Sequence, residues 1–407
     1  MRTRTWCVAV TLVSLTRCVA AQSVLSEADA LARLSDESPR VRAIRASVQV
    51  ARADAIAAGR WPNPRLTYNR EEVAGVTENM FLFTQPVPIS GRRGLDVHAA
   101  SALIEVSQLR ADEDIRQLRA ALRNAYADLV SAQVRESQIE VSRDRLRELA
   151  EILGRREAAG ESAGYDRLRA EREVMDLEAD WASARADRAR AQATLAGFFA
   201  PSTDSAGLVA VAPDRPAGVE LPAIEDLVVH AEKTLPEIAA LKQEIESSSF
   251  AARAAARRPI PDPEIVLGTK SSSLAGGDIG GVFSVHASLP LFDRARAEQT
   301  LAEAHRVQAE ARLAALQSSL RAHVLALRAA VIERRQAAER YRAATAASAS
   351  ELERIAQVSY DAGERGILEL LDAYRNSGAA RARQPLLDAA VRHAEIELEL
   401  ASGWEIR

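Results

Sequence analysis

SPRVRAIRASVQVARADAIAAGRWPNPRLTY, residues 38–68, and LPEIAALKQEIESSSFAARAAARRPIPDPEIVLG, residues 235–268, follow one plan. Each opens on a proline, Pro39 or Pro236, which suits a first helical turn because its missing N–H has no partner there in any case. Each then runs for about twenty residues with helical character and meets a proline cluster that cannot continue a helix. The first cluster is Pro62 and Pro64; the second is Pro259, Pro261 and Pro263. Both lead into a β-like run. Self-similarity at a spacing of about 200 residues marks an internal repeat, and it divides the chain into a first repeat, 22–200, and a second, 222–407. The connector at 201–221 belongs to a stretch, Gly197–Pro222, with four prolines and little periodicity.

Beyond each proline cluster the period changes to two. From Gly281 to Pro290 the side chains alternate, with Phe283, Val285, Ala287 and Leu289 on one face and Ser284, His286 and Ser288 on the other, the pattern of a two-faced strand. Its partner is expected at about Glu264–Thr269, across the loop SSSLAGGDIGG, giving a hairpin at 264–289. The first-repeat hairpin, 65–87, has strands at about Arg65–Val73 and Asn79–Val87, with Pro86 and Pro88 at its far end. Four of the seven phenylalanines, Phe81, Phe83, Phe283 and Phe292, lie in or beside these strands. In a chain with only 4% aromatic residues, that clustering points to a local apolar environment such as lipid.

After each hairpin comes a helix expected at 91–153 or 293–360, which at 1.5 Å per residue reaches about 95 to 100 Å. Seven-residue spacing of apolar or small positions runs through Leu118, Leu122, Ala125, Leu129, Ala132, Ile139, Leu146 and Ala150 in the first. In the second it runs through Leu313, Leu320, Val324, Leu327, Val331, Ala338, Tyr341, Thr345, Ser348, Leu352 and Ile355. Such seams serve helices that lie along other helices, although Glu136, Arg143 and Arg334 interrupt them. Glycine-containing tips at Gly160–Gly164 and Gly363–Gly366 turn the chain into returning helices at 164–197 and 366–400. The expected fold class is therefore mainly α with a small β part: long antiparallel coiled-coil hairpins and four strands per chain.

Composition narrows the class. Hydrophobic residues make up 47% of the 407, with a formal net charge of −4. No strongly basic surface is available to release counterions from phosphates, so nucleic acid is excluded as a partner. Residues 1–21 read as a signal peptide: Arg2 and Arg4 precede an apolar run from Trp6 to Leu15, too short to span a bilayer, and then small residues with cleavage near Ala21. Both cysteines, Cys7 and Cys18, fall inside it, leaving the mature chain without a thiol. Arg17 sits where lipidation at Cys18 would want a small residue. The six histidines are scattered, with none at i, i+3 or i+4 from another, so no convergent metal site is expected. The double glycines at Gly276 and Gly280 read as loop chemistry. No nucleophile elbow, phosphate loop or zinc-binding helix motif occurs; the chain reads as a non-enzyme without a cofactor.

Two hairpins give an open four-stranded sheet, which cannot span lipid with unpaired edges. Three copies would close twelve strands, within the range of outer-membrane barrels. At this point the chain resembles the outer membrane factor family, the TolC-like efflux channels. The resemblance covers about Ser23–Trp404 and rests on the repeat and on the order helix, hairpin, long helix, tip, returning helix. A local motif is also similar: YDAGERGILELLDA, Tyr360–Ala373, follows the family's tip pattern of Tyr, two spacers, Gly, spacer, Arg, spacer, Ile and a later Leu-Asp-Ala. In its counterpart RREAAGESAGYDRLRAE, Gly160 and Asp166 match Gly363 and Glu369. The GESAGYDRLRAE tip and the short C-terminal end resemble the heavy-metal, CzcC-like branch.

The resemblance implies a homotrimer in outer-membrane lipid with its helical part in the periplasm. It also implies a periplasmic adaptor (membrane fusion protein) and an inner-membrane pump of RND type as partners. It places Glu369 and Asp372 at a periplasmic gate, and Tyr360, Arg365 and Asp166 among the groups that link neighbouring coiled pairs. Glu369 stands where the family pattern has Asp. By spacing alone, two acids at i, i+3 near a helix start are a solvated face suited to the helix dipole. Two other readings share these elements: a periplasmic coiled-coil spacer or adaptor, which leaves the hairpins without a purpose, and an outer-membrane channel for type I protein secretion.

Overall fold

The computed structural model describes residues 23–160, 164–199, 203–212, 220–274 and 277–406. The signal-peptide reading, with Cys7 and Cys18, lies outside the described residues, as do Gly276 and much of the connector. The chain begins with strand β1 (Ser23–Leu25) and helix α1 (Glu27–Ala32). The chain continues with α2 (Pro39–Ala58), β2 (Arg65–Val73), β3 (Val76–Pro86), α3 (Arg92–Ala158) and α4 (Gly164–Ala196). After β4 (Leu208–Ala210) and α5 (Ile224–Thr234), the same order returns in α6 (Pro236–Ala256), β5 (Glu264–Ser272), β6 (Ile279–His286), α7 (Arg296–Asp361) and α8 (Ile367–Ser402). The two rods, of 67 and 66 residues, are each about 100 Å long. Among the described residues no helix is long and apolar enough to cross a membrane.

The four long strands form one antiparallel sheet in the order β2-β3-β5-β6, and the helices beneath keep the matching order, with α3 packed on both α2 and α6, and α6 also on α7. Direct cross-strand partners share a face. Leu66, Phe83, Leu267 and Phe283 therefore form a row across all four strands, flanked by Tyr68 and Phe81 on one side and by Ile265 and Val285 on the other. All eight are exposed in the single chain. The opposite face carries Thr67, Asn69, Thr84, Ser284 and His286, together with an ion pair between Lys270 and Glu78 at 2.6 Å, interspersed with Met80, Leu82, Val266 and Val282. Gly268 lies at the joint between the hairpins, where a Cβ would sit 2.1 Å from the Phe81 carbonyl oxygen; only glycine fits that approach.

The strand limits differ from expectation for local reasons. β3 starts at Val76, before Asn79, because the ladder runs to the Val73–Val76 pair and closes on a two-residue turn, Ala74 and Gly75, both at positive φ (50° and 79°). β6 stops at His286, paired with Glu264. The residue before Glu264 is Pro263, which has no N–H with which to extend the ladder, so Ala287 and Leu289 lie beyond the strand.

The connector holds more order than its composition implied. β4 pairs in parallel with β1, and α3 and α4 stitch the pair down. The Gln133 amide bonds both ways with the Ala210 backbone (2.8 and 3.0 Å), Gln192 donates to the Leu208 carbonyl at 2.8 Å, and the Tyr126 hydroxyl accepts from Val211 N–H at 3.0 Å. Leu25, Leu122, Leu129, Leu195 and Leu208 form the core beneath it. On the second rod Leu320, Val324, Val331 and Ala338 are buried as the heptad spacing requires, but the next buried positions among the described side chains are Ala349, Glu353 and Ala356. The step from 338 to 349 is eleven residues, a stutter that shifts the contact face, and Leu352 and Ile355 consequently point outward in the single chain.

Candidate gate at the helical tip

Far from the sheet, the two coiled hairpins end side by side. α7 runs out at Asp361 and the chain turns through Gly363 (φ 70°), whose N–H bonds the Tyr360 carbonyl at 3.0 Å, the left-handed helix stop that glycine supplies. Gly366 caps α8, which sets Glu369 in the first turn of that helix. The other hairpin stops at Gly160 (φ 76°) and resumes at Gly164, with Asp166 in the first turn of α4.

Two polar contacts join the hairpins here. The Tyr360 hydroxyl donates to Asp166 Oδ2 at 3.0 Å, and Arg156 meets Asp361 at 3.2 Å. Burial, and then the bond to the Asp166 carboxylate, push the Tyr360 phenol up to about 12, so it stays a hydrogen-bond donor. Behind these contacts lies an apolar layer drawn from all four helices: Leu146, Leu153, Val174, Ala356, Ile367 and Leu370.

Deeper along the rods is a network that the sequence did not reveal. The Glu353 carboxylate, on α7, is 7% exposed. It is met by Arg145 of α3 at 2.8 Å, by Arg381 of α8 at 2.8 Å, and by the Ser377 hydroxyl. Burial alone would raise its pKa. The hydrogen bonds from Arg381 and Ser377, with the charges of Arg381 and Arg145, outweigh burial and hold it below the ordinary carboxylate range. At the same level a Cβ on Gly378 would lie 2.8 Å from Ser142 Oγ, so α3 and α8 are in close approach. The signal in the sequence was the break in the heptads, which only the stutter makes legible.

Of the five residues picked out from sequence, the structure brings Tyr360 and Asp166 together. Glu369 and Asp372 are exposed on neighbouring turns of α8. Asp372 bonds Arg375 (2.8 Å) and Asn376 (2.9 Å) on its own helix. Neither Glu369 nor Arg365 has an ion-pair partner among the described residues, and Arg365 is apart from the Tyr360–Asp166 contact. Among the described residues there is no group of three or more His, Cys, Asp or Glu able to hold a metal ion.

A two-faced sheet at one end and a polar tip at the other, joined by rods about 100 Å long, match what the comparisons find. The model of the family described as outer membrane efflux protein matches residues 227–404. Residues 227–404 are thus similar to the outer membrane efflux protein family. It is similar to the cobalt-zinc-cadmium resistance protein CzcC of Cupriavidus metallidurans, with 24% identity over 79% of this chain and 76% of that one. It is also similar to the nickel-cobalt-cadmium resistance protein NccC of Alcaligenes xylosoxydans xylosoxydans, with 25% identity over 64% and 59%. In fold it is similar to the CmeC outer membrane channel of Campylobacter jejuni, with a TM-score of 0.77 at 12% identity over 99% of this chain and 93% of that one. The chain thus has the TolC-like fold of outer-membrane efflux channels.

Proposed function

We propose that three copies close about one axis into a twelve-stranded barrel and a helical tube. The tube is a passive exit duct, without chemistry of its own, in a tripartite system with a periplasmic adaptor and an RND-type inner-membrane pump. Its cargo is divalent heavy-metal cations. The observation that carries this reading is the sheet, with an exposed apolar row across one face and a more polar, mixed face opposite, and with edges at β2 and β6 that find no strand among the described residues. In hydrocarbon each unpaired backbone group costs several kcal/mol, so β6 must meet β2 of the next copy.

Carrying the β3–β5 register over to that joint sets His286, Val285 and Ser284 against Thr67, Tyr68 and Asn69 of the neighbour. Val285 then meets Tyr68 on the apolar face and His286 meets Thr67 on the polar one; a slip of one residue would mix the faces. Cysteines introduced at Thr67 and His286 should cross-link neighbouring copies into a detergent-resistant trimer, and a chain that stays monomeric in both detergent and membrane overturns the reading. The metal cargo is supported by the resistance proteins CzcC and NccC; a deletion strain no more sensitive to cobalt, zinc or cadmium than its parent would remove it and leave type I protein secretion as the alternative to test.

At the tip, threefold symmetry would gather Glu369 and Asp372 from three copies around the axis, where they attract cations and repel one another. Tyr360, Asp166 and Arg365 hold that ring in its closed arrangement. Replacing Glu369 and Asp372 together by Ala should make the purified channel leakier in planar bilayers and abolish its block by divalent cations. Unchanged conductance and unchanged block would defeat the gate assignment.

A further inference from the structure

Within the chain, the joint between the two hairpins is closed by a cap that crosses from one repeat to the other. Asp262, between Pro261 and Pro263, offers one carboxylate oxygen to the backbone N–H groups of Ile89 (2.9 Å) and Ser90 (3.0 Å). The Pro263 carbonyl accepts from Val87 N–H at 2.8 Å. These amides lie where β3 has ended and α3 has not begun, so neither ladder nor helix can satisfy them, and Asp262 supplies what an N-cap side chain supplies. Arg257 completes the corner on the Ser90 carbonyl at 3.3 Å.

The second strand-to-helix junction has no such cap. Thr84 pairs with Arg65 as His286 pairs with Glu264, so Leu289, Leu291 and Phe292 correspond to Val87, Ile89 and Ser90. All three are exposed, Phe292 at 100%. No side chain caps them among the described residues, and Leu291 N–H only turns back on the Leu289 carbonyl at 2.9 Å. The counterpart of the cap does exist. Pro62-Asn63-Pro64 occupies the place of Pro261-Asp262-Pro263 and leads into β2, the free edge of the sheet. The Asn63 side chain is exposed and has no hydrogen-bond partner among the described residues. One end of the chain thus has amides without a cap, and the other has a cap without amides. The helical layer agrees: α3 is flanked by α2 and α6, whereas α7 has α6 on one flank and would take α2 of the next copy on the other.

We propose that the side-chain carbonyl of Asn63 accepts hydrogen bonds from the backbone N–H groups of Leu291 and Phe292 of the neighbouring copy, while the Pro64 carbonyl accepts from Leu289 N–H. The proposal rests on the ring reading above and adds its residue-level joint. The three-residue turn at Leu291 opens on docking. Asn63 is a neutral acceptor where Asp262 is charged, and bonds to charged groups are the stronger, so the joints between copies are weaker than the joint inside each copy.

The test uses the full chain in detergent. Under oxidation, a variant with N63C and F292C should give covalent trimers, while each single variant controls for Cys7 and Cys18. The heat-resistant trimer of N63A should dissociate at lower temperature than native, and N63D should recover or exceed the native value. If N63C with F292C fails to link while T67C with H286C links, or if N63A dissociates at the native temperature, the cap is wrong and the ring stands. If neither cysteine pair links, the ring reading itself fails.

Discussion

The two ends of the rods join the halves of the chain in different ways. At the sheet the joint is backbone: β3 and β5 pair continuously from Glu78–Ser272 to Pro86–Glu264. At the tip the joint is side chains: Tyr360 to Asp166, Arg156 to Asp361, and an apolar layer. A ladder in lipid cannot lose one bond without leaving groups that nothing else can satisfy. Single side-chain bonds in reach of water are worth only about 1 kcal/mol each. On the proposed gate reading, the sheet is therefore the fixed end and the tip the end that opens.

The largest effect is expected at the fixed end. Gly268→Val would place its Cβ 2.1 Å from the Phe81 carbonyl oxygen, a backbone atom that cannot yield without parting β3 from β5, and 2.7 Å from Leu82 Cδ2. The amount of heat-resistant trimer in outer membranes should fall by at least about tenfold, because no half-open sheet survives in lipid. A normal yield would show that the joint bends as freely as the tip.

Next comes Glu353→Ala, which leaves Arg381 and Arg145 facing an emptied site. Removing one partner from a buried polar network costs on the order of 2 kcal/mol, roughly thirtyfold on the closed-to-open ratio. The measurement is conductance of the reconstituted channel. The native pKa is depressed, so the network's contribution is complete above the ordinary carboxylate value and is lost as pH falls through the lower folded value. Native channels should therefore become leaky in acid, while the variant is leaky at neutral pH already.

The repeated order of elements was legible because proline clusters and changes of period are written locally in residues 38–68 and 235–268. The seams were legible only as far as Ala338. Past it, the eleven-residue step moves Glu353 inward, and a charged residue at a buried position cannot be recognised until Arg145, Arg381 and Ser377 are seen to converge on it. The turn at Ala74 and Gly75 was missed for a related reason: Ala is a poor signal for positive φ. At the tip, spacing alone could not join Tyr360 to Asp166, which are 194 residues apart. β1 and β4, of three residues each, are too short to show a period.

A smaller effect is expected from Tyr360→Phe, which deletes one bond between the hairpins and no packing. The cost is about 1 kcal/mol, roughly fivefold in opening. The phenol is pushed up to about 12, so its contribution is complete below the ordinary tyrosine value near pH 10 and fades only as pH rises through the folded one. The ratio of native to variant conductance should stay flat from about pH 6 to 9. A ratio that drifts across that range would mean that another group governs the contact.

The smallest effect belongs to the middle of the tube, where His393 of α8 meets Asp128 of α3 at 3.0 Å. The facing Asp128 carboxylate raises the His393 pKa despite partial burial. The pair's contribution is therefore complete below the ordinary histidine value near pH 6.5 and is lost as pH rises through the higher folded value. Both groups are partly exposed, so the pair is worth a few tenths of a kcal/mol. Thermal unfolding should show His393→Gln lowering the midpoint slightly at pH 6 and not at pH 9. Because His393 lies away from both the ladder and the tip, conductance should not change at either pH. A variant that altered opening from mid-rod would mean that the tube body moves with the tip, and the contrast between a fixed end and a movable one would have to be redrawn along the whole length of α3 and α8.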